Sequence, residues 1–311
     1  MRILLTGGSG MVGQNLQEHP SAAEYEVLAP SSRTLDLNNQ QAVVDYIEAK
    51  RPDIVIHAAG QVGGIQANMA DPVGFLVNNS LMGLHVINAA YQAGIKYCVN
   101  LASSCMYPRS APNPLTEDQI LAGELEPTNE GYALAKITAT RLCQYIGRVN
   151  EELRYITLIP CNLYGRHDKF DPAHSHMIPA VIRKIHEAAK AEASTVEIWG
   201  DGEARREFMY VEDLADCVFE VIRMIRGGQE VPDLMNAGLG KDYSINEYYR
   251  AIAEVVGFKG SFSHDLTKPV GMRQKLIDSR RLNALGWHAS TSLKDGIEKT
   301  YQFFLEEYPN D

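Results

Sequence analysis

The sequence predicts an α/β protein: a doubly wound parallel, Rossmann-type sheet with a smaller α+β substrate-binding domain. Three observations carry this. Short runs rich in Val and Ile alternate with longer stretches of helical period through the first half of the chain. Those runs are continuously apolar rather than alternating, so each strand is covered on both faces, which parallel sheets flanked by helices achieve. A glycine-rich turn follows the first run directly and opens a helix.

The first strand, "RILLT" from Arg2, leads into "TGGSGMVGQNL". Gly7, Gly10 and Gly13 stand three apart, where glycine permits a tight turn, close approach of backbone to a pyrophosphate, and close helix contact. The helix beyond presents its N–H groups and the positive end of its dipole to an anion. Gly7, Gly8, Ser9, Gly10, Met11, Val12 and Gly13 are therefore expected to cradle a dinucleotide. The second strand, "YEVLAP" near Tyr25, ends in "APSSRTLDL". A free ribose 2′-OH usually meets a carboxylate there and a 2′-phosphate meets a cation; Ser32 and Arg33 occupy the place and the first carboxylate, Asp36, comes later, so NADP(H) is expected over NAD.

"DIVIHAA" from Asp53, "YCVNLAS" from Tyr97 and "RYITLIP" from Arg154 supply the next strands. The fourth ends in "LASSCMYP", bringing Leu101, Ala102, Ser103 and Ser104 to the sheet edge where ligands of such folds sit. "EGYALAKITA" then sets Tyr132 and Lys136 four apart, on one helix face, with Ala133 and Ala135 keeping the backbone close to a neighbour. Beside a nicotinamide the pair acquires a use. Reducing a ketone builds charge on oxygen and requires a proton donor; Lys136 is expected to favour the Tyr132 phenolate and bring its titration toward working pH, while a serine hydroxyl holds the carbonyl.

Beyond Gly165 the pattern loosens into helices ("HMIPAVIRKIHEAAKA", "SINEYYRAIAEVVGF", "SLKDGIEKTYQFFLEEY") and the short strand "TVEIWG". "YVEDLADCVFEVIRMI" followed by "DLMNAG" reads as helix then strand and is expected to return to the large sheet. The expected division is 1–164 with 208–240 for the dinucleotide domain, and 165–207 with 241–311 for the smaller one.

Composition bounds the partners. The 311 residues are 45% hydrophobic and 22% charged, as in ordinary globular proteins, and the net charge of −10 weighs against binding nucleic acid. Five cysteines form no CxxC pair and no metal-ligand spacing, so no metal is expected, and an odd count fits reduced thiols in a cytoplasm. The amino terminus lacks the core of a signal peptide and no apolar run reaches the roughly 18 residues that span a bilayer, so no membrane partner is expected.

The glycine pattern, the serine at the fourth strand and the Tyr-xxx-Lys pair, together with "VGGIQAN", "SSCMYP", "LEPTNEGYALAK", "NLYGRHDKF", "HSHMIPA", "WGDGEARREFMYVEDLA" and "NAGLG", resemble the extended short-chain dehydrogenase/reductase family over nearly the whole chain. The resemblance implies an NADP(H)-dependent epimerase and reductase acting on a GDP-linked 4-keto-6-deoxyhexose. It implies that Ser103, Tyr132 and Lys136 form the reduction triad and that Cys105 and His176 exchange protons beside the ketone. Epimerisation next to a carbonyl needs a base on one face and an acid on the other, and thiol and imidazole both titrate near neutrality. His174 competes with His176, and spacing does not select between them.

The resemblance further implies backbone contacts from Pro160, Cys161, Asn162 and Leu163 to the nicotinamide, with His176 nearby. Asn162, Lys184, Trp199, Arg206 and Lys275 are implied for the sugar nucleotide, Trp199 by packing on the base and the cations by pairing with the diphosphate. Two positions depart from the family: Lys184 stands where arginine is frequent, and Val270 where aspartate is usual. A homodimer is implied, the helix of Tyr132 and the preceding "FLVNNSLMGLHVINAAYQ" pairing with their copies in a four-helix bundle. A relative acting on a 3-deoxy sugar and epimerising only at C5 would share these marks. A dinucleotide-binding regulator without turnover is the alternative from another class, but it has no use for two sets of proton-transfer residues.

Overall fold

The computed structural model describes residues 1–171, 175–268 and 272–309. The five apolar runs form β1 (Arg2–Thr6), β2 (Glu26–Leu28), β3 (Ile54–His57), β4 (Tyr97–Leu101) and β5 (Arg154–Pro160). Four short strands follow, β6 (Asn162–Tyr164), β7 (Thr195–Trp199), β8 (Arg205–Arg206) and β9 (Phe208–Tyr210), before β10 (Leu234–Ala237). The main sheet has six strands in the order β10-β5-β4-β3-β1-β2, all parallel. "DLMNAG" thus returns to the large sheet, as its helix-then-strand pattern predicts, and pairs Leu234 with Thr157.

Alternate residues of single strands enter opposite cores, which is why the runs are continuously apolar. Ile3, Leu5, Ile54, Ile56 and Val99 face one core; Leu4, Val55 and Cys98 face the other. The first face carries α1 (Met11–Glu18) and a later helix, Val211–Arg226. The second carries α2 (Gln40–Lys50) and, after the short α3 (Ile65–Ala70), the long pair α4 (Pro72–Gln92) and α5 (Glu130–Val149). Because β2 and β3 flank β1 on opposite sides, the order reverses at β1, and a crevice opens at the strands' carboxyl ends.

A separate core forms from Phe170, α6 (Met177–Lys190), α8 (Ile245–Val256) and the helix Leu293–Glu307, with Ile182, Tyr248 and Phe304 fully buried. Between α6 and α8 lies α7 (Val211–Arg226), which belongs to the main sheet's core. Ile277, Leu282 and Trp287 also pack into that main core, so the chain crosses back once more within 241–311. Three minor sheets complete the described fold: β12 (Ser261–Asp265) beside β7, β6 beside β9, and β8 between β11 (Tyr243–Ser244) and β13 (Gln274–Lys275). Among the described residues no helix is long and apolar enough to cross a membrane, and no group of three or more His, Cys, Asp or Glu is placed to hold a metal ion.

Candidate active site

The turn after β1 is shaped by glycine. Gly7 has φ +76°, and a Cβ there would lie 2.7 Å from Ala59 N. A Cβ on Gly13 would lie 2.1 Å from Gly7 O, so only glycine lets α1 start this close to the strand. Gly10 precedes α1 in an extended conformation with no side-chain cap, and the first turn holds no acidic residue. Its N–H groups and dipole are therefore available to a diphosphate, and the Gly7, Gly8, Ser9, Gly10, Met11, Val12, Gly13 segment fits a dinucleotide. Arg33 projects exposed from the turn after β2 beside exposed Ser32, with no acidic partner among the described residues.

At the carboxyl end of β4 the chain enters a single 3₁₀ turn, Ser104–Met106, started by Ser103, whose Oγ accepts the Cys105 N–H at 3.2 Å. Helix α5 delivers Tyr132 and Lys136 to this turn. It can approach α4 closely because the contact residues are small: a Cβ on Gly131 would lie 3.1 Å from Pro72 O, and one on Gly83 3.0 Å from Ala139 Cβ. Lys136 is buried, donates to Leu101 O at 2.9 Å, and lies 5.8 Å over the Tyr132 ring. Ser103 lies beside Tyr132 and favours its ionised form. Leu101, Ala102, Ser103, Ser104, Cys105, Tyr132 and Lys136 are thus gathered at one sheet edge.

The electrostatics differ from the sequence expectation in one respect. Burial, with Cys105 nearby, pushes the Tyr132 phenol well above its ordinary value, and neighbouring Ser103 only partly opposes this. The phenol is therefore not brought toward neutrality: Lys136 sits over the ring and bonds a carbonyl, not the hydroxyl. Burial brings Lys136 itself down to about 8. Behind it, buried His57 is pushed down to about 3 by burial and the Lys136 charge, and bonds Thr6 Oγ1 at 2.9 Å. A neutral imidazole beside the ammonium adds no repulsion.

Cys105 is half-buried, and Asn129 Nδ2 donates to its sulfur at 3.3 Å. His176 occupies the residue before α6, with its Nδ1 3.6 Å from buried Asp168 Oδ1 and its side chain 46% exposed. Asp168 raises the His176 pKa, against burial, which lowers it. His176 is thus carried at the start of α6, beside the smaller core, and among the described residues no hydrogen bond ties it to the β4 group. His174 and Val270 lie outside the described residues.

Between the two, buried Cys161 has its N–H bound to Ala237 O at 3.1 Å, so that backbone donor is already used. Burial pushes its thiol up, and Asn162 Nδ2 donates to Glu207 O at 3.0 Å. Pro160 ends β5 and Leu163 is the middle residue of β6, on either side of this link.

On the small sheet, register sets Tyr243, Arg206 and Lys275 side by side across three strands, hence on one face. Arg206 is half-buried, meets no carboxylate among the described residues, and is lowered by burial, an arrangement suited to receiving an anion. Lys184 reaches the Glu197 carbonyl at 2.6 Å. Trp199 is 58% exposed, its ring under Lys268 Nζ at 5.4 Å. Glu207, which sequence reasoning passed over, is buried between these elements: Oε1 accepts Gly240 N–H at 2.7 Å and Oε2 accepts Ile277 N–H at 2.9 Å. Burial brings its carboxyl up to about 7.

The profile of the NAD dependent epimerase/dehydratase family matches residues 3–238. The chain is 54% identical, over the full length of both, to a GDP-L-colitose synthase of Yersinia pseudotuberculosis. It is 48% identical to a GDP-L-fucose synthase of Azorhizobium caulinodans, with 98% of this chain and 96% of the relative covered. Among solved structures, a GDP-L-fucose synthetase of Naegleria fowleri bound to NADP superposes with a TM-score of 0.89 at 26% identity, covering 99% of this chain and 94% of that one.

Proposed function

The chain belongs to the NAD dependent epimerase/dehydratase family, and on that premise we propose that it is an NADPH-dependent 3,5-epimerase and 4-reductase converting GDP-4-keto-6-deoxy-D-mannose to GDP-L-fucose. The observation that carries this reading is the adjacency of two proton-transfer sets: Ser103, Tyr132 and Lys136 for reduction, and Cys105 at the same turn for epimerisation. Full-length identity of 48% to a GDP-L-fucose synthase supports the substrate class.

NADPH, when bound along the Gly7–Gly13 turn with Arg33 at its 2′-phosphate, supplies the hydride. The chain's own residues do the rest. Cys105 and His176 face the carbons beside the ketone, one removing a proton and the other returning it; Asp168 keeps the imidazole basic. Tyr132 remains protonated in the resting site, the form a proton donor needs, and Ser103 holds the ketone oxygen. Once Tyr132 has given its proton, Lys136 stabilises the phenolate. Arg206 and Lys275 take the diphosphate, with Lys184 alongside, Asn162 holds the sugar, and Trp199 offers its exposed face to the base.

A second reading follows from the 54% identity to a GDP-L-colitose synthase: a 3-deoxy substrate epimerised only at C5. Mixing the protein with NADPH and each keto-sugar, while following loss of reduced-nicotinamide absorbance, separates the two. Turnover of the 3-hydroxy sugar with product inverted at both carbons supports the first; turnover of the 3-deoxy sugar alone supports the second; turnover of neither overturns both.

Val73, Leu76 and Val77 on α4 and Leu134 and Val149 on α5 are exposed apolar side chains, Val73 at 70% and Val149 at 71%. Such side chains suit the α4–α5 homodimer bundle. Five free thiols suit a cytoplasmic setting.

A further inference from the structure

We infer that Asn129 is a positioning residue for Cys105, its side-chain amide fixing the direction of the sulfur toward the sugar; this rests on Cys105 serving as a proton-transfer group. Asn129 Nδ2 donates to Cys105 Sγ at 3.3 Å. From the other side the Cys105 backbone N–H is tied to Ser103 Oγ at 3.2 Å, so the main chain is held and the amide sets the sulfur. Asn129 also forgoes the usual task of its position. It directly precedes α5, where an asparagine side chain commonly accepts a helical N–H, yet it makes no such bond. Its Oδ1 is buried with no hydrogen-bond partner among the described residues, a condition folded chains generally avoid. The backbone, by contrast, is fully engaged: Asn129 N–H donates to Glu126 O at 3.1 Å and its carbonyl accepts Ala133 N–H at 3.0 Å. The side chain is therefore withheld from the helix and turned onto the sulfur.

A donor aimed at sulfur bonds most strongly to the charged form, the form that takes a proton from carbon. Of the titratable groups around Cys105, Tyr132 on α5 stays neutral, and Lys136, 5.8 Å from the centre of the Tyr132 ring, bonds Leu101 O. That leaves the amide as the group bonded to the sulfur. In the step it serves, the S–H bond forms as the C–H bond beside the ketone breaks, the electron pair passes into the enolate, and the protonated His176 imidazole gives its proton to the opposite face. The amide bond weakens as sulfur becomes neutral and strengthens when the proton leaves.

The test is the pH dependence of Cys105 alkylation by iodoacetamide on the full chain. Cys98, Cys143, Cys161 and Cys217 are buried, and Cys105→Ala gives the background. At neutral pH Asn129→Ala should slow this alkylation about tenfold or more, and the isosteric Asn129→Asp, which replaces a donor by a negative acceptor, should slow it further. Solvent-deuterium exchange into the keto-sugar at neutral pH should fall about tenfold or more in both and recover as the pH rises. An unchanged alkylation profile in Asn129→Asp, with NADPH still bound to show the fold intact, overturns the inference. Wild-type exchange in Cys105→Ala overturns the underlying role of Cys105 instead, whatever the Asn129 variants do.

Discussion

Raising the pH should switch off reduction by titrating Lys136. Burial brings this ammonium down from 10.5 to about 8, while the Tyr132 phenol is pushed well above its ordinary 10 and so stays protonated across the same range. The reactive state needs both protons: Tyr132 gives one away, and Lys136 must be charged to stabilise the phenolate left behind. With half-titration near 8, the competent fraction falls from about 0.9 at pH 7 to about 0.1 at pH 9, a tenfold loss of kcat/KM, which reports the free enzyme. The assay is the initial rate of NADPH oxidation on the keto-sugar from pH 6 to 10 at constant ionic strength. Lys136→Met should lose about 10²-fold or more at pH 7 and also lose the falling limb. A flat wild-type profile through pH 9.5, or a limb that persists in Lys136→Met, would refute the reasoning, because Lys136 would then not be the group that titrates.

Other residues give separable outcomes. Arg33→Ala should weaken NADPH by about tenfold or more and leave NADH nearly unchanged, since only the former carries the 2′-phosphate; titration of cofactor fluorescence checks this, and equal losses would contradict it. Arg206→Met should raise KM for the GDP-sugar about tenfold or more without lowering Tm, because the guanidinium is held half-buried without a carboxylate; a lower Tm with unchanged KM would mark it as structural. Glu207 binds a proton in the folded chain between 4.5 and about 7, so its contribution to stability is present in full below 4.5 and lost as pH rises through about 7. That span is 7 − 4.5 = 2.5 units, or about 3 kcal/mol, and Glu207→Gln should show correspondingly less loss of urea stability between pH 4 and 8. Equal pH slopes for the two proteins would count against it.

Much of this site is legible in the chain because its signals are local. Gly7 and Gly13 sit in one turn, Tyr132 and Lys136 on one helix, and β10 follows α7 as the pattern "DLMNAG" suggests. What sequence reasoning misses is non-local. The sheet that aligns Arg206 with Lys275 uses strands of two residues, too short to show a period, from segments some seventy residues apart. Glu207 reads as one more surface acid until β9, the 238–240 loop and Ile277 close over it. Asn129 reads as a helix cap, and its turn toward Cys105 appears only once β4 and α5 are side by side. The Tyr132 shift runs opposite to the sequence expectation for the same reason: pairing with Lys136 can be read from spacing, but burial comes from the whole fold.

The central claim, two chemistries in one site, is tested most directly by NMR of deuterium wash-in from D₂O into the keto-sugar, with Cys105→Ala and Tyr132→Phe compared to wild type. Cys105→Ala should suppress exchange at the carbons beside the ketone while NADPH binding persists; Tyr132→Phe should exchange normally yet fail to oxidise NADPH, each defect being about 10²–10⁴-fold. If Cys105→Ala exchanges at the wild-type rate at every position, or Tyr132→Phe reduces within a few-fold of wild type, the division of labour described above is wrong.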